Sequence, residues 1–500
     1  MLGNANAARL VAQTIEGTLG PKGLDIMMVD SLGEVVISND GVTILKAMAV
    51  GHPVARMIIN AARAQQAEVG DGTTTATILA GALVAEGSNQ VIKGVPVTQV
   101  IAGIKMGVEY GIERIESQNR AVESLDDPLL LAAAKIAGRD QEDIAALVIE
   151  AARIMGRERL QNQEFKFADT VVAREASMSQ VFSGNLISKV PLNLEMPRSQ
   201  QNVKILIIDD ALAPEELAPE SRASEAGFQY YLQVKKQYED SLAKIIALGV
   251  HLVLVDRSID AQAEQAFTEA GVAAIQRVSQ REIDRVCQHT GARKIKRSGL
   301  LRPLEQIAPY LGQAGRIQVD DKKGYTLVLD GCGEAWATVL IGAATEEVVD
   351  ERERIARDAA AAVQAAVQHG LVPGGGAIEV WTARQLEDLA QELKGMASYG
   401  VLAVKEALLR PFSCIVANAG FNPLEKIGDV IAEQKRTQQS AITVDCEGGN
   451  LIDALAEGIV DPTRIKTYAV RAAGEVATAI LRINTVIKMR DEEPYSHDIR

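Results

Sequence analysis

The order of hydrophobic patterns along the chain constrains its fold more than any single motif. Residues 4–119 carry apolar side chains at helical spacing around one short strand pattern, and helical spacing returns from residue 345 onward. The centre differs, because short runs typical of buried strands alternate there with helical stretches. The sequence therefore predicts a multidomain α plus α/β fold in which the central part is an insertion within an insertion.

A run of small and polar residues is the strongest candidate for a functional centre. Residues 70–75 read Gly-Asp-Gly-Thr-Thr-Thr and lead directly into a helical pattern over residues 76–85. A helix N-terminus presents unpaired N–H groups and the positive end of the helix dipole, so it can hold a phosphate. A carboxylate beside a phosphate needs a bridging divalent cation, which makes Asp71 a candidate Mg²⁺ ligand. The alternative is a structural turn in which Asp71 only caps the helix.

The overall composition argues against nucleic-acid and membrane partners. The 500 residues include 66 acidic and 52 basic side chains, and only 4% are aromatic. Binding a nucleic acid needs basic surface or stacking aromatic rings. No apolar run reaches the roughly 18 residues that span a bilayer, and we expect a cytoplasmic protein. The cysteines are too far apart for a zinc site and are expected to be reduced, mostly buried thiols: Cys287, Cys332, Cys414 and Cys446.

Several strands and one long excursion can be assigned from the sequence. Residues 213–227 are rich in Pro, Glu, Ser and Gly, which is typical of exposed chain, and residues 228–246 then predict one long helix. The predicted strands cover residues 26–29 and 34–38, which form a hairpin, and residues 164–174, 184–190, 203–208, 250–255 and 272–274.

Five motifs in one order resemble those of the chaperonins, at similar spacing, and together they cover almost the whole chain. They are TLGPKG (18–23), VVISNDGVTILK (35–46), EVGDGTTTATILAG (68–81), VPGGGAIE (372–379) and DPTRIKT (461–467). NDGVTIL and the excursion after residue 211 resemble the thermosome-like group II branch. IGAATEE (341–347) and the aspartate of DPTR resemble the bacterial group I branch. A mixture of this kind is similar to the bacterial group III chaperonins.

The resemblance implies a chaperonin fold with three domains and a ring assembly. The subunits would form two stacked rings, with eight subunits each, around a cavity that holds non-native polypeptides. A built-in lid would make a separate co-chaperonin unnecessary. The chain begins later than most relatives, so part of a leading strand used in subunit contacts would be absent. The implied domains are a mainly helical equatorial ATPase domain (1–127 and 375–500), an intermediate hinge domain (128–182 and 343–374) and an α/β apical substrate-binding domain (183–342) with a helical lid protrusion at about 213–238.

The resemblance also assigns residues to the binding and hydrolysis of Mg-ATP, with K⁺ as a further candidate ion. Asp71 would ligate Mg²⁺, and Asp358, assisted by Asp40, would act on the water that attacks the terminal phosphate. The other nucleotide-binding residues would be Gly20, Pro21, Gly41, Gly72, Thr73, Thr74, Thr75, Gly374, Gly375 and Asp461. Structural alternatives exist for each part: Asp40 could close a hairpin turn, Asp358 could be a solvated charge, and the glycine run could link two helices.

One position departs from the thermosome-like pattern. In that branch a lysine in a Ser/Thr/Gly run of the intermediate domain senses the terminal phosphate, and the matching position here is Arg139. Arginine can supply the same charge with a planar fork of donors, although the neighbouring hydroxyls are missing.

Three functional hypotheses follow: an ATP-driven folding machine, a small-molecule kinase that uses the same phosphate site, and a passive holdase. No His or Arg cluster beside the phosphate motifs suggests a kinase substrate pocket, and the presence of Asp40, Asp71 and Asp358 argues against a holdase.

Overall fold

Both ends of the chain contribute to one of two units. The computed structural model describes residues 1–29, 32–33, 35–175, 177–215 and 225–487. The helical unit comprises Met1–Ile149, Gln163–Asp169 and Glu347–Arg500. The sheet unit comprises Glu150–Asn162 and Thr170–Glu346.

Helices make up most of the helical unit, and among the described helices none is long and apolar enough to cross a membrane. Short 3₁₀ helices lie at Phe167–Thr170, Arg297–Leu301 and Ala308–Tyr310. The α-helices are α1 Leu2–Glu16, α2 Gly41–Ala47, α3 Pro53–Val69, α4 Thr73–Ile92, α5 Val97–Ser117, α6 Pro128–Ala137, α7 Glu142–Met155, α8 Arg157–Gln161, α9 Glu225–Ala247, α10 Ala261–Glu269, α11 Gln280–Thr290, α12 Leu304–Ile307, α13 Glu346–His369, α14 Ala377–Glu392, α15 Ser398–Asn418, α16 Pro423–Thr437 and α17 Thr463–Leu481.

The core of the helical unit surrounds α4, which packs against α1, α3, α15 and α17. Its first two turns after the threonines carry small and branched apolar residues, and Ala76, Leu79 and Ala80 are all buried. Gly81 is tightly packed here, since a Cβ on it would lie 2.5 Å from Cβ of Ala12. The close approach of α1 to α4 therefore depends on a residue without a side chain.

Strands occur in both units. They are β1 Ile26–Val29, β2 Val35–Ser38, β3 Val171–Glu175, β4 Gln180–Ile187, β5 Ser199–Ile208, β6 Leu252–Val255, β7 Ala273–Ile275, β8 Lys294–Ile295, β9 Gly312–Asp320, β10 Tyr325–Gly331, β11 Ala337–Ala343, β12 Leu371–Pro373, β13 Ile442–Val444, β14 Leu451–Asp453 and β15 Val460–Pro462. Among these, nine strands of the sheet unit form one sheet, in the order β3-β11-β4-β10-β9-β5-β6-β7, with β8 paired to β5. The pairs β5–β6 and β6–β7 are parallel, as expected from their continuous apolar runs.

One predicted strand is largely wrong. The sequence predicted a strand over residues 164–174, whereas β3 begins only at Val171. The alternation of Phe165 and Phe167 resembles a strand pattern, but the side chain of Gln364 forms hydrogen bonds with the backbone there. Its amide nitrogen donates to the carbonyl of Phe165 at 2.6 Å, and its carbonyl oxygen accepts from the N–H of Phe167 at 2.8 Å. The backbone is therefore satisfied without a neighbouring strand.

Two smaller expectations also need correction. The glycine run does not link two helices, because it follows β12, which pairs antiparallel with β15 with Val372 opposite Asp461. The four cysteines are free, but only Cys414 is buried, whereas Cys332 is exposed. The expectation of mostly buried thiols was therefore wrong. Residues 216–224 of the predicted lid lie outside the described residues.

Candidate nucleotide-binding site

The N-terminus of α4 is shaped by two glycines in the left-handed backbone region. Gly70 ends α3 with φ 83°, and Gly72 precedes α4 with φ 79°. Residues with a Cβ rarely adopt this conformation, so the turn needs glycine at both positions. Gly72, not Asp71, is the N-cap residue, and in the described structure no side chain caps α4. The helix therefore presents backbone N–H groups that could donate hydrogen bonds to a bound anion.

Asp71 lies in the turn between these glycines. Its carboxylate accepts a hydrogen bond from the N–H of Gly72, and its carbonyl accepts one from Nε2 of Gln65 at 2.8 Å. Burial raises the pKa of Asp71 above its usual range. The nearby carboxylates of Asp461 and Asp40 raise it further, and Lys466 acts in the opposite direction. A bound cation would favour the charged form of Asp71 and so offset the effects of burial and of the neighbouring carboxylates.

Asp40 adjoins the same helix terminus from a different segment. It caps α2, since its Oδ2 accepts from the N–H of Thr43 at 2.8 Å, and its Oδ1 lies 3.4 Å from the hydroxyl of Thr73. Gly41 follows, and a Cβ there would lie 2.6 Å from Oγ1 of Thr74. Asp40 therefore caps α2 and does not close the hairpin turn, and this places Asp40 and Gly41 beside the threonines.

Asp358 lies in the middle of α13 and is largely shielded from solvent. Its side chain is only 14% exposed and accepts from Nη1 of Arg354 at 2.6 Å. Burial, followed by the charge of Asp71, holds its pKa well above the usual range, while Arg354 and Arg139 lower it. The alternative of a solvated charge is thus wrong. On the next turn of α13, Ala361 would lie 2.6 Å from a Cβ on Gly70, so α13 packs directly on the turn before α4.

The donor set fits Mg²⁺. Carboxylates and threonine hydroxyls are hard oxygen ligands, and Mg²⁺ in nucleotide sites usually binds one or two carboxylates together with phosphate oxygens and water. Accordingly, no three His, Cys, Asp or Glu side chains in the described part of the chain form a metal site by themselves. The residues that could hold the ion are Asp71 and Asp40, and their mutual repulsion is what a cation would relieve.

The glycine turn after β12 leads into α14 and adjoins Asp461. Gly375 and Gly376 have φ 61° and 80°, and a Cβ on Gly374 would lie 2.9 Å from Oδ2 of Asp461. The backbone of this turn therefore approaches the carboxylate closely. Thr443 closes the turn from the other side by donating to the carbonyl of Gly375 at 2.8 Å.

The remaining predicted residues lie in three places. Gly20, with φ 88°, rests on α15, where its Cβ position is 3.1 Å from Ile415, and the following Pro21 is exposed. Arg139 pairs with Glu351 of α13 at 3.1 Å, on the same helix as Asp358. Its pKa is lowered by burial and by Arg354. Thr75 is half-buried in the first turn of α4.

Sequence reasoning missed the basic side chains that pair with these carboxylates. Arg354 bridges Glu351 and Asp358, and Lys466 bridges Glu379 and Asp461. Arg354 lies four residues from Asp358, a helical spacing that could have signalled the ion pair. Nothing in the sequence links Glu379 to Lys466.

Comparisons with known proteins agree with this arrangement. The sequence matches the TCP-1/cpn60 chaperonin family over residues 11–491. It is 32% identical to a thermosome subunit of Pyrococcus horikoshii over 97% of this chain and 90% of that protein. It is 33% identical to a thermosome subunit of Desulfurococcus sp. over 97% of this chain and 91% of that protein. The fold is similar to the crystal structure of a group III chaperonin in the open state, with a TM-score of 0.89, 47% identity, and coverage of 97% and 98% of the two chains.

These matches confirm the predicted chaperonin fold and the predicted resemblance to thermosome-like and group III chaperonins, and they do not favour the kinase or holdase alternatives. They imply a nucleotide-using chaperone that assembles into oligomeric double rings and binds unfolded substrates. The chain belongs to the TCP-1/cpn60 chaperonin family.

Proposed function

We propose that this chaperonin subunit hydrolyses Mg-ATP and couples hydrolysis to the folding of non-native polypeptides. The observation that carries the proposal is the grouping of Asp40, Asp71 and Asp358 from three separate segments around the uncapped N-terminus of α4. The charges of Asp71 and Asp40 raise the pKa of Asp358, so the three groups are close enough to interact. A protein gains no stability from such repulsion, which points to a bound cation and anion.

Different residues of the site would bind the phosphates, hold Mg²⁺ and activate the attacking water. The N–H groups and hydroxyls of Thr73, Thr74 and Thr75 would bind phosphate oxygens, with Gly41 and Gly72 allowing close approach. Asp71 would hold Mg²⁺, which would neutralise charge on the phosphates. Asp358, whose burial raises its proton affinity, would accept a proton from the attacking water or orient that water, and Asp40 would assist.

Other predicted residues would complete the nucleotide contacts. Gly374, Gly375 and Asp461 would face the ribose and phosphates, and Gly20 and Pro21 would border the nucleotide. Arg139 would approach the terminal phosphate after exchanging its ion pair with Glu351. K⁺ is a further candidate ligand of the phosphate oxygens.

The assembly is also part of the proposal. We propose rings of eight subunits, equatorial, intermediate and apical domains with the boundaries given above, and a built-in lid that replaces a separate co-chaperonin. The exposed apolar residues at the start of α9, Phe228, Tyr230 and Leu232, support a lid. The four free thiols support a cytoplasmic location.

A refolding assay tests the function. A chemically denatured monomeric protein should regain activity in the presence of the chaperonin, ATP and Mg²⁺, and not when Mg²⁺ is chelated or when ATP is replaced by ADP. Phosphate release measured in the same samples should depend on Mg²⁺. Equal refolding with ATP and with ADP, or phosphate release that continues in excess chelator, would contradict the proposal.

A further inference from the structure

Lys466 is a largely buried cation within the candidate site, and neither the sequence nor the resemblance gave it a role. Its side chain is 11% exposed, and its Nζ lies 2.7 Å from Oε1 of Glu379 and 2.9 Å from Oδ2 of Asp461. Glu379 is almost fully buried, at 2% exposure. Burial lowers the pKa of Lys466, but the two carboxylates outweigh burial and raise it, so the ammonium stays charged.

The location of Lys466 connects three parts of the site. It lies in the first turn of α17, Glu379 lies in the first turn of α14 after the glycine turn, and Asp461 lies in β15. Its neighbour Ile465 would be 2.5 Å from a Cβ on Gly72, and the carbonyl of Ile465 accepts from Gln65 at 3.2 Å. The turn that carries Lys466 is thus fixed against the phosphate-binding turn as well.

The two oxygens of Asp461 have different surroundings. Oδ2 lies 2.9 Å from Nζ of Lys466, and a Cβ on Gly374 would come within 2.9 Å of the same oxygen. The side chain as a whole is nevertheless 25% exposed. Oδ1 is therefore the oxygen that remains to accept a hydrogen bond from a ligand, and Lys466 fixes the direction in which it points.

Stability alone is a poor reason to keep this cluster. Burying three charged groups costs desolvation energy that their attraction often fails to recover, and apolar replacements are frequently neutral or stabilising. A carboxylate held in a fixed position, by contrast, can distinguish a ligand that has a hydroxyl from one that lacks it. When the hydroxyl is missing, the carboxylate is left without its hydrogen-bond partner, and binding is weaker.

We propose that Lys466 is a positioning residue that holds Asp461 for the ribose hydroxyls of the nucleotide and so makes the site selective for ribonucleotides. The inference rests on the proposed ATP site. Lys466 itself does not touch the substrate; it acts through the carboxylate that it orients.

The test uses a charge-balanced double variant, Lys466→Met with Glu379→Gln, since Lys466→Met alone would leave Glu379 buried without its cation. The net charge of the cluster stays at that of one carboxylate. Dissociation constants for ATP, 2′-deoxy-ATP and 3′-deoxy-ATP are measured by displacement of a fluorescent nucleotide from the assembled full-length protein. In the parent, the deoxynucleotide that lacks the hydroxyl bonded to Asp461 should bind about tenfold more weakly than ATP, because the carboxylate loses a hydrogen bond. In the double variant the ratio of the dissociation constant for this deoxynucleotide to that for ATP should fall close to one.

Two further variants separate positioning from structure. Lys466→Arg should keep most of the discrimination. Lys405→Met removes a lysine of similar burial that pairs with Glu387 and Glu406, outside the nucleotide motifs, and should leave the ratio at the parent value. Parent-like discrimination in a folded double variant, or a parent that binds the three nucleotides equally, would overturn the inference. Failure of the proposed function looks different: the parent would release no phosphate, while the binding ratios would still decide the role of Lys466.

Discussion

Nη1 of Arg354 lies 2.6 Å from Oδ2 of Asp358, and the same guanidinium holds Glu351 through two further contacts of 2.7 and 3.0 Å. Glu351 also accepts from Arg139 at 3.1 Å. The expected hydrolytic carboxylate and the expected phosphate-sensing arginine are therefore joined through two side chains of α13. Because Arg354 binds Oδ2, we expect Oδ1 of Asp358 to be the oxygen that orients the attacking water.

Replacing Asp358 with alanine should separate binding from hydrolysis. ATP should bind with an affinity within a few-fold of the parent, because Asp71 and the N-terminus of α4 remain. Steady-state phosphate release should fall at least about 100-fold, the usual contribution of a positioned base. Asp350→Ala, at an exposed position of the same helix, is the control and should hydrolyse ATP normally. A parent-like rate for Asp358→Ala would show that this carboxylate is not the base.

Asp71 should make the nucleotide-free protein less stable at neutral pH. Its pKa in the folded chain is raised, so the folded state binds the proton more tightly than the unfolded state does. The resulting penalty is complete above the folded pKa and disappears below the ordinary value of about 3.9. Asp71→Asn should therefore raise the melting temperature at pH 7.5 in the presence of a chelator, and the gain should shrink as the pH falls toward 4.

Added Mg²⁺ and ATP provide the matching control. They should stabilise the parent and have much less effect on Asp71→Asn, because the variant lacks the carboxylate that holds the ion. A variant that melts below the parent at pH 7.5 without metal would contradict the origin assigned to the penalty.

The hairpin β1–β2 should contact a neighbouring subunit. Met27 is 63% exposed, and Val36, one register step away on the paired strand, is 50% exposed. Strand edges with exposed apolar side chains readily pair with another chain, and we expect residues 485–489 of the neighbour as the partner. Of that segment, Val486 and Ile487 are exposed, and residues 488–489 lie outside the described residues.

Met27→Glu combined with Val36→Glu should therefore give monomers in sedimentation velocity. Met178→Glu combined with Leu194→Glu places the same charges at exposed apolar positions of the sheet unit and should leave the assembly intact. Rings that persist in the hairpin variant would rule out this contact.

Tyr238 should fix the base of α9. Its hydroxyl donates to the carboxylate of Asp260, which also caps α10, and lies 3.1 Å from the carbonyl oxygen of Leu212. Tyr238→Phe should lower the stability of this region by about 1 kcal/mol, because the carbonyl keeps its bond from the N–H of Asp260. Hydrogen exchange of peptides from α9 and α10 should be faster. Tyr230→Phe, at a half-exposed site on the same helix, should exchange like the parent, and equal exchange in both variants would contradict the role of Tyr238.

The sequence predicted those parts of the structure whose conformation depends on residues that are close together along the chain. The two glycines around Asp71 could be assigned from the sequence because a left-handed turn before a helix demands them. The sequence also placed α9 within three residues of its observed start and one of its end. These features depend on neighbours along the chain.

The side chains that pair with the carboxylates could not be predicted in the same way. Glu379 and Lys466 are distant in sequence, and the pairing of β12 with β15, which precede α14 and α17, brings them together. The misassigned strand before β3 has the same cause, because Gln364, far along the chain, satisfies the backbone of Phe165 and Phe167. Alternation alone cannot reveal a partner that tertiary structure supplies.

The two halves of α9 differ in a way that bears on the lid. In the C-terminal half Tyr238, Leu242 and Ile245 are buried, so this half packs on its own unit. In the N-terminal half Phe228, Tyr230 and Leu232 are about half exposed. The expected lid therefore has a fixed base and an apolar tip.

Such a tip should be covered when the lid closes, and limited proteolysis can follow this change. Trypsin should cleave at Arg222 rapidly without nucleotide and slowly with a mimic of the hydrolysis transition state, because closure would bury the segment against other lids. Cleavage at Lys322 and Lys323, in the exposed turn between β9 and β10, is the internal reference and should not change. Phe228→Ser combined with Leu232→Ser should restore rapid cleavage with the mimic while phosphate release continues. Equal cleavage at Arg222 in both nucleotide states, in rings with normal hydrolysis, would show that this segment is not a nucleotide-driven lid.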